Sequence, residues 1–153
     1  MARAKQEIEG QGDLYERDFY LWIEEQAVLL REGRLERLDV ANLLEEIEDM
    51  GRREKKGVKN NLIVVLTHLL KYQFQSDQRS NSWRGSILEH RRRLRDDFED
   101  SPSLRRHAAD VFSRAYEDAR EQASTETGLP LHAFPESSPY SLEQALDPEF
   151  LPD

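Results

Sequence analysis

The stretch LDVANLLEEIEDMGRREKKGVKNNLIVVLTHLLKYQFQ, residues 38–75, sets the fold class. Leu43, Ile47, Met50/Gly51, Glu54, Val58, Leu62, Val65 and Leu69 recur at alternating steps of three and four. At 100° per residue that spacing keeps them on one face of a helix. Asp39, just ahead of the pattern, is suited to cap it by accepting hydrogen bonds from the unpaired amides of the first turn. The spacing therefore predicts one long organising helix over residues 39–75 on which other segments dock. At a rise of 1.5 Å per residue it would be about 55 Å long. That is long for a chain of 153 residues, so a bend near 51–57 or a termination before 75 is expected. Gly51 lies on the apolar seam, where either a close backbone approach or a kink would account for it.

Composition points the same way. The length suits one domain with one core, and the near balance of hydrophobic (37%) and charged (35%) residues suits amphipathic helices with solvated faces. No cysteine is present, so disulfides, thiolate metal sites and a cysteine nucleophile are excluded. No segment approaches the roughly 20 apolar residues that span a bilayer, and Met1 to Gln11 lacks an apolar signal core. A cytoplasmic protein with no membrane partner is expected. The net charge of −9 is unevenly spread: residues 1–51 hold 14 acidic and 6 basic side chains, residues 52–95 hold 3 and 12, and residues 96–153 hold 14 and 4. Such blocks either neutralise one another inside a bundle or leave a basic middle third open to nucleic acid.

Working outward, Tyr15, Phe19, Trp22/Ile23, Gln26 and Leu29/Leu30 share one face, with Gly33 just beyond, predicting a helix over about 16–32. Its aromatic stripe reads as core before it reads as a ligand box. Glu45, Glu46, Glu48 and Asp49 fan around the outer face of the organising helix, where negative charge suits a helix start better than it builds a metal site. Ser80 or Ser82 can cap a third helix over 82–99 carrying Trp83, Ile87, Leu94 and Phe98. Ser101-Pro102 opens a fourth over 102–127 with an alanine-rich seam, closed by Gly128 and Pro130. Gln122 and Glu126 are minor polar candidates on it. Beyond Leu129 the chain is proline-punctuated, with Ser141-Leu142-Glu143-Gln144 a capping-box start for a short helix over 141–147. The expected fold is all-α: an antiparallel four-helix-bundle-like domain with one long central helix and a C-terminal strap bearing a short helix. The expected organisation is a frayed lead-in at 1–12, a bundle at 13–128 and a strap at 129–153.

One polar line stands out. Glu54, Asn61 and His68 are seven apart at the edge of the apolar face, and Arg91 falls on the buried face of the third helix. A carboxylate buried without a partner is costly, so a buried Arg91–Glu54 salt bridge is expected, with Asn61, His68, Arg79 and Trp83 completing a polar network or a small anion-binding or enzymatic pocket. Opposite the seam, Arg52, Lys55, Lys56 and Lys59, joined by Arg92 and Arg93, form a candidate basic patch without interleaved aromatics. No nucleophile is identifiable and no catalytic residue is assigned. No Glu-x-x-His motif occurs, and His68, His90, His107 and His132 lack close-paired spacing, so no metal and no cofactor are expected.

DFYLW at 18–22, LLREGR at 29–34, LDVANLLEEIEDMG at 38–51, HLLKY at 68–72, RSNSW at 79–83, SPSL at 101–104, ETGL at 126–129, FP at 134–135 and PY at 139–140 occur in this order. Together they resemble the bacterial domain-of-unknown-function family numbered twenty-nine, over about residues 13–152. The resemblance implies a small helical protein with no established activity, so it carries over no catalytic residue. His90-Arg91 stands where the family motif has glutamine-arginine, so the resemblance implies Arg91, not His90, as the constant element. The expected role is a non-catalytic interaction or scaffold module. The alternatives are a pocket around Glu54, His68, Arg79 and Arg91, and a weak nucleic-acid binder. The expected partner is another protein or a second copy of the chain.

Overall fold

A computed structural model describes residues 14–153, so the lead-in at 1–12 lies outside the described residues. The described chain is all-helical. Helices α1 (Phe19–Arg31), α2 (Val40–Phe74), α3 (Asn81–Asp100), α4 (Leu104–Thr127) and the short α5 (Leu142–Leu146) are joined by three single 3-10 turns. Helix α2 keeps its helical pattern through 51–57 for 35 residues and ends at Phe74. Apart from its own stretch of helix backbone, nothing lies within 4 Å of where a Cβ on Gly51 would sit, so no other segment closes on that glycine.

The chain divides into two compact units, the first ending at Arg52 and the second running from Arg53 to Asp153. In the first, a helical turn at 14–17 precedes α1, which starts at Phe19 because Asp18 breaks the helix and accepts a hydrogen bond from the Leu21 amide. Trp22, Gln26 and Leu29 form the buried face of α1. Tyr15 packs edge-on against Trp22 with ring centroids 4.8 Å apart, and Phe19 lies 5.7 Å from the same indole. Asp39 does more than cap α2. Its carboxylate accepts from Trp22 Nε1 at 3.0 Å and from the Asn42 side chain at 2.8 Å, and its backbone amide donates to Gln26 Oε1 at 2.8 Å. One residue thus fixes the start of α2 to the buried face of α1.

The second unit holds the large core. On α2 burial begins at Val58 and continues through Leu62, Val65, Leu66, Leu69 and Leu70. Against it stand Ile87 and Leu94 of α3 and the alanine seam of α4, where Ala108, Ala115, Ala119 and Ala123 have no exposed surface. Small side chains bring backbones close: Thr67 Oγ1 lies 3.5 Å from the Ala119 carbonyl. Ser80 caps α3 by accepting from the Trp83 amide. Gly128 ends α4 with φ of +74°, a left-handed conformation that costs glycine little.

Residues 129–153 lie against this core. Phe134 and Tyr140 are buried, Tyr116 Oη donates to the Pro135 carbonyl, and Arg120 Nε donates to the Phe134 carbonyl at 3.1 Å. Tyr140 Oη donates to Gln73 Oε1 at 2.6 Å, and burial pushes its phenol well above the ordinary range. The predicted capping box is present, with Ser141 and Gln144 bonding reciprocally at the start of α5.

Candidate functional site

The expected Arg91–Glu54 salt bridge does not form. Arg91 is buried at 5% exposure, but all three of its guanidinium nitrogens donate to backbone carbonyls. Nε reaches Ala145 O at 2.8 Å, Nη1 reaches Phe150 O at 2.9 Å and Nη2 reaches Gln144 O at 3.1 Å. Two of these carbonyls close the last turn of α5, where helix geometry leaves oxygens unpaired and the dipole favours a cation. Burial lowers the Arg91 pKa while the nearby Asp147 charge opposes the shift, and a guanidinium stays protonated regardless. Arg91 is therefore a clamp on the strap.

Glu54 is exposed because the apolar stripe of α2 is buried only from Val58 onward, one turn further along. Periodicity named the right face but not how far neighbours cover it. Glu54 and half-buried Asn61 line a shallow cleft of about 320 Å³ with Arg53, Arg93, Asp96 and Asp97. Burial, and the Glu54 charge after it, raise the Asp97 carboxyl. His68, the third member of the row, belongs elsewhere. It lines a cleft of about 280 Å³ with Gln122 and Glu126 of α4. The polar network expected from six residues is thus divided among separate places.

Around His68 the structure builds a set of contacts centred on a residue the sequence reading passed over. Lys71 is nearly buried, donates to Glu126 Oε2 at 3.1 Å and sits 4.7 Å from the Trp83 ring centroid. A desolvated cation between a carboxylate and an indole face is satisfied from both sides. Glu126 Oε1 also accepts from Gln122 at 3.1 Å. Burial works to raise Glu126, but the bonds from Gln122 and Lys71 hold it below its ordinary range. The signal in the sequence was a lone lysine three residues after His68 in an apolar run. Arg79 is not part of this set: its Nε donates to the Tyr72 carbonyl at 2.7 Å and its guanidinium stacks 4.1 Å from the Tyr72 ring.

His68 Nδ1 lies 2.8 Å from the Val64 carbonyl, a geometry in which that nitrogen donates. Burial holds the imidazole below its ordinary 6.5, outweighing the Val64 bond; the Lys71 and His90 charges add to the lowering and Glu126 opposes it. Because the folded pKa is depressed, the unfolded chain takes up a proton that the folded one refuses. His68 therefore destabilises the fold progressively as pH falls from 6.5 to the lower folded value. In urea titrations the stability difference between wild type and His68→Gln should shift against wild type between pH 7.5 and pH 5. A difference that stays constant would remove the assignment. The Glu126 shift lies below 4.5 and leaves this window clear.

The basic residues are largely spent within their own units. Arg52 pairs with Asp49 and approaches Glu45 and Glu48, Lys59 meets Asp118 at 2.9 Å, and Glu89 takes both Arg92 and Arg93. Lys55 and Lys56 are exposed on α2. Glu46, the remaining member of the acidic run, accepts from Tyr15 Oη at 2.6 Å, and that bond, with burial and nearby carboxylates, pushes the phenol up to about 12. Among the described residues no three histidine or carboxylate side chains group so as to hold a metal ion, and no helix is long and apolar enough to cross a membrane.

Exposure is distributed far from evenly. Eleven of the thirteen large apolar side chains that stand exposed among the described residues fall between 19 and 50, in the first unit. Val40, Leu44 and Ile47 form one stripe at helical spacing on α2, and Tyr20, Ile23 and Leu30 another on α1. Residues 14–52 also carry eleven carboxylates against five guanidinium groups. Fold and surface together define a small all-helical protein with an apolar, acidic hairpin in its first unit and a buried helical core in its second. The chain belongs to the family Domain of unknown function DUF29, whose model matches residues 14–151. No curated protein and no solved structure matches it.

Proposed function

We propose that the protein is a non-catalytic interaction module whose docking surface is the N-terminal hairpin, and that its partner presents a basic amphipathic helix. The observation that carries this reading is the concentration of exposed apolar side chains between residues 19 and 50. Val40, Leu44 and Ile47 adjoin one another at helical spacing on α2, and an exposed apolar stripe of this kind marks an interaction site. The chemistry of the occupant follows from charge. The stripe Val40, Leu44, Ile47 runs beside Glu45 and Glu48 on a hairpin with a surplus of six carboxylates, so a second copy would bring like charge against like. A helix with leucines at three- and four-residue spacing and lysines between them matches both features.

The test uses two designed helical peptides with the same leucine pattern, one filled with lysine and one with glutamate, titrated into the full chain. The lysine peptide should bind with an affinity that falls as salt rises, and the glutamate peptide should not bind. Ile47→Glu is the decisive variant. It adds negative charge, so attraction by charge alone would strengthen binding of the lysine peptide, whereas docking on the stripe should weaken it at least tenfold. Unchanged or tighter binding to Ile47→Glu, or a stable dimer of the free chain by sedimentation, would overturn the reading.

A further inference from the structure

A second surface feature lies in the other unit and takes a different kind of ligand. Between α3, the first turn of α4 and the end of α5 is a cavity of about 420 Å³, the size of a small-molecule site. Its apolar lining is Leu88, Phe98, Leu146 and Pro148. Its polar lining is unusual for a chain of net charge −9: four guanidinium groups, Arg91, Arg92, Arg95 and Arg105, with Glu99 the one carboxylate.

These four cations are not equally free. Arg92 is held by Glu89 at 2.9 Å and Asp96 at 3.1 Å, so its charge is answered. Arg95 has only its neighbour Asp96, at 3.8 Å, and Arg105 has no carboxylate at ion-pairing distance among the described residues. Arg91 is the most telling. Its three bonds go to neutral carbonyls, the Asp147 carboxylate acts on it only through space, and a guanidinium has five N–H groups. A buried cation with donors to spare and two loosely held cations, Arg95 on α3 with it and Arg105 on α4, therefore line one cavity with four apolar side chains.

We propose that this cavity binds a small amphiphilic monocarboxylate, with the carboxylate against Arg95 and Arg105 in the field of Arg91 and the hydrocarbon portion on Phe98, Leu88 and Leu146. Arginine suits this role because its planar fork pairs a carboxylate through two parallel bonds. Exposed Leu88 gives the tail a contact at the mouth of the cavity, at a position on α3 where an apolar side chain otherwise faces solvent.

The probes are octanoate, octanol and acetate, titrated calorimetrically into the full chain below the micellar range of octanoate. Octanoate should bind one to one and saturably, with octanol and acetate each at least tenfold weaker, since each lacks one half of the recognition. The double variant Arg95→Gln/Arg105→Gln should lose at least tenfold in octanoate affinity while keeping its melting temperature, because both side chains are exposed and outside the clamp. Octanol binding as well as octanoate, no saturable heat with octanoate, or full affinity in the double variant would each overturn the proposal.

Discussion

Arg91→Met should release the C-terminal strap. The side chain keeps its length and its apolar stem but loses all three bonds to the carbonyls of Gln144, Ala145 and Phe150. Bonds from a charged donor are each worth about 1.5–3 kcal/mol, and three on one group do not add fully, so a loss of about 3 kcal/mol is expected. For a chain of this size that corresponds to a drop in melting temperature on the order of 10 °C. Arg91→Lys should fall between the two, because an ammonium is a point donor and cannot span three oxygens in one plane. Limited chymotrypsin digestion reads the strap directly. Tyr140 is buried in the native protein and Phe150 partly so, and both should become cleavable in Arg91→Met well before any site in the core. A variant that melts within 2 °C of wild type and resists cleavage would show that the clamp contributes little.

Trp22→Ala should unfold the hairpin and spare the rest. The buried face of α1 consists of Trp22, Gln26 and Leu29, and Trp22 also carries the ring contacts of Tyr15 and Phe19 and the bond to Asp39. Truncating a buried aromatic to alanine costs about 3–5 kcal/mol. A unit with so small a core has little to set against that loss. The second unit has its own core from Val58 to Leu70 and keeps it. Hydrogen exchange should show amides in 19–52 losing protection while those of 58–70 hold. The chain has two tryptophans, so the fluorescence left in the variant belongs to Trp83 and should stay native. Equal loss of protection across both stretches, or none in the hairpin, would contradict this.

The helix boundaries were legible because the signals that set them are local. Asp39, Ser80, Gly128 and the Ser141–Gln144 box act on amides and carbonyls within four residues of themselves, so adjacent letters suffice. The fourth helix illustrates the limit of such signals. Its start was expected at Pro102, but residues 102 and 103 form a lead-in turn and α4 begins at Leu104. The alanine seam was legible from spacing as well. What could not be read was reach. A stripe of apolar residues from Leu43 to Leu69 looks uniform, yet only its second half is covered, and this is why Glu54 stands in solvent and Ile47 with it. Arg91 was correctly placed on a buried face and given the wrong partner. Side-chain chemistry offers a carboxylate for a guanidinium, whereas its actual partners are peptide oxygens more than fifty positions away, which every residue possesses. Lys71 was missed because a lysine at the end of an apolar run reads as the place where burial stops, and its long stem lets it stay nearly buried and still reach Glu126.

That clamp leaves an asymmetric mark on how the sequence can drift. Because Arg91 grips main-chain oxygens, it does not itself choose the amino acids at 144, 145 and 150, which answer instead to the capping box and to packing against the core. Replacement of the arginine has no compensating change available at the other end, since no side chain there can supply a guanidinium's three donors. Correlated substitution will not reveal the contact between these two segments. A tail grafted from a distant relative should still be captured, provided it follows the same course.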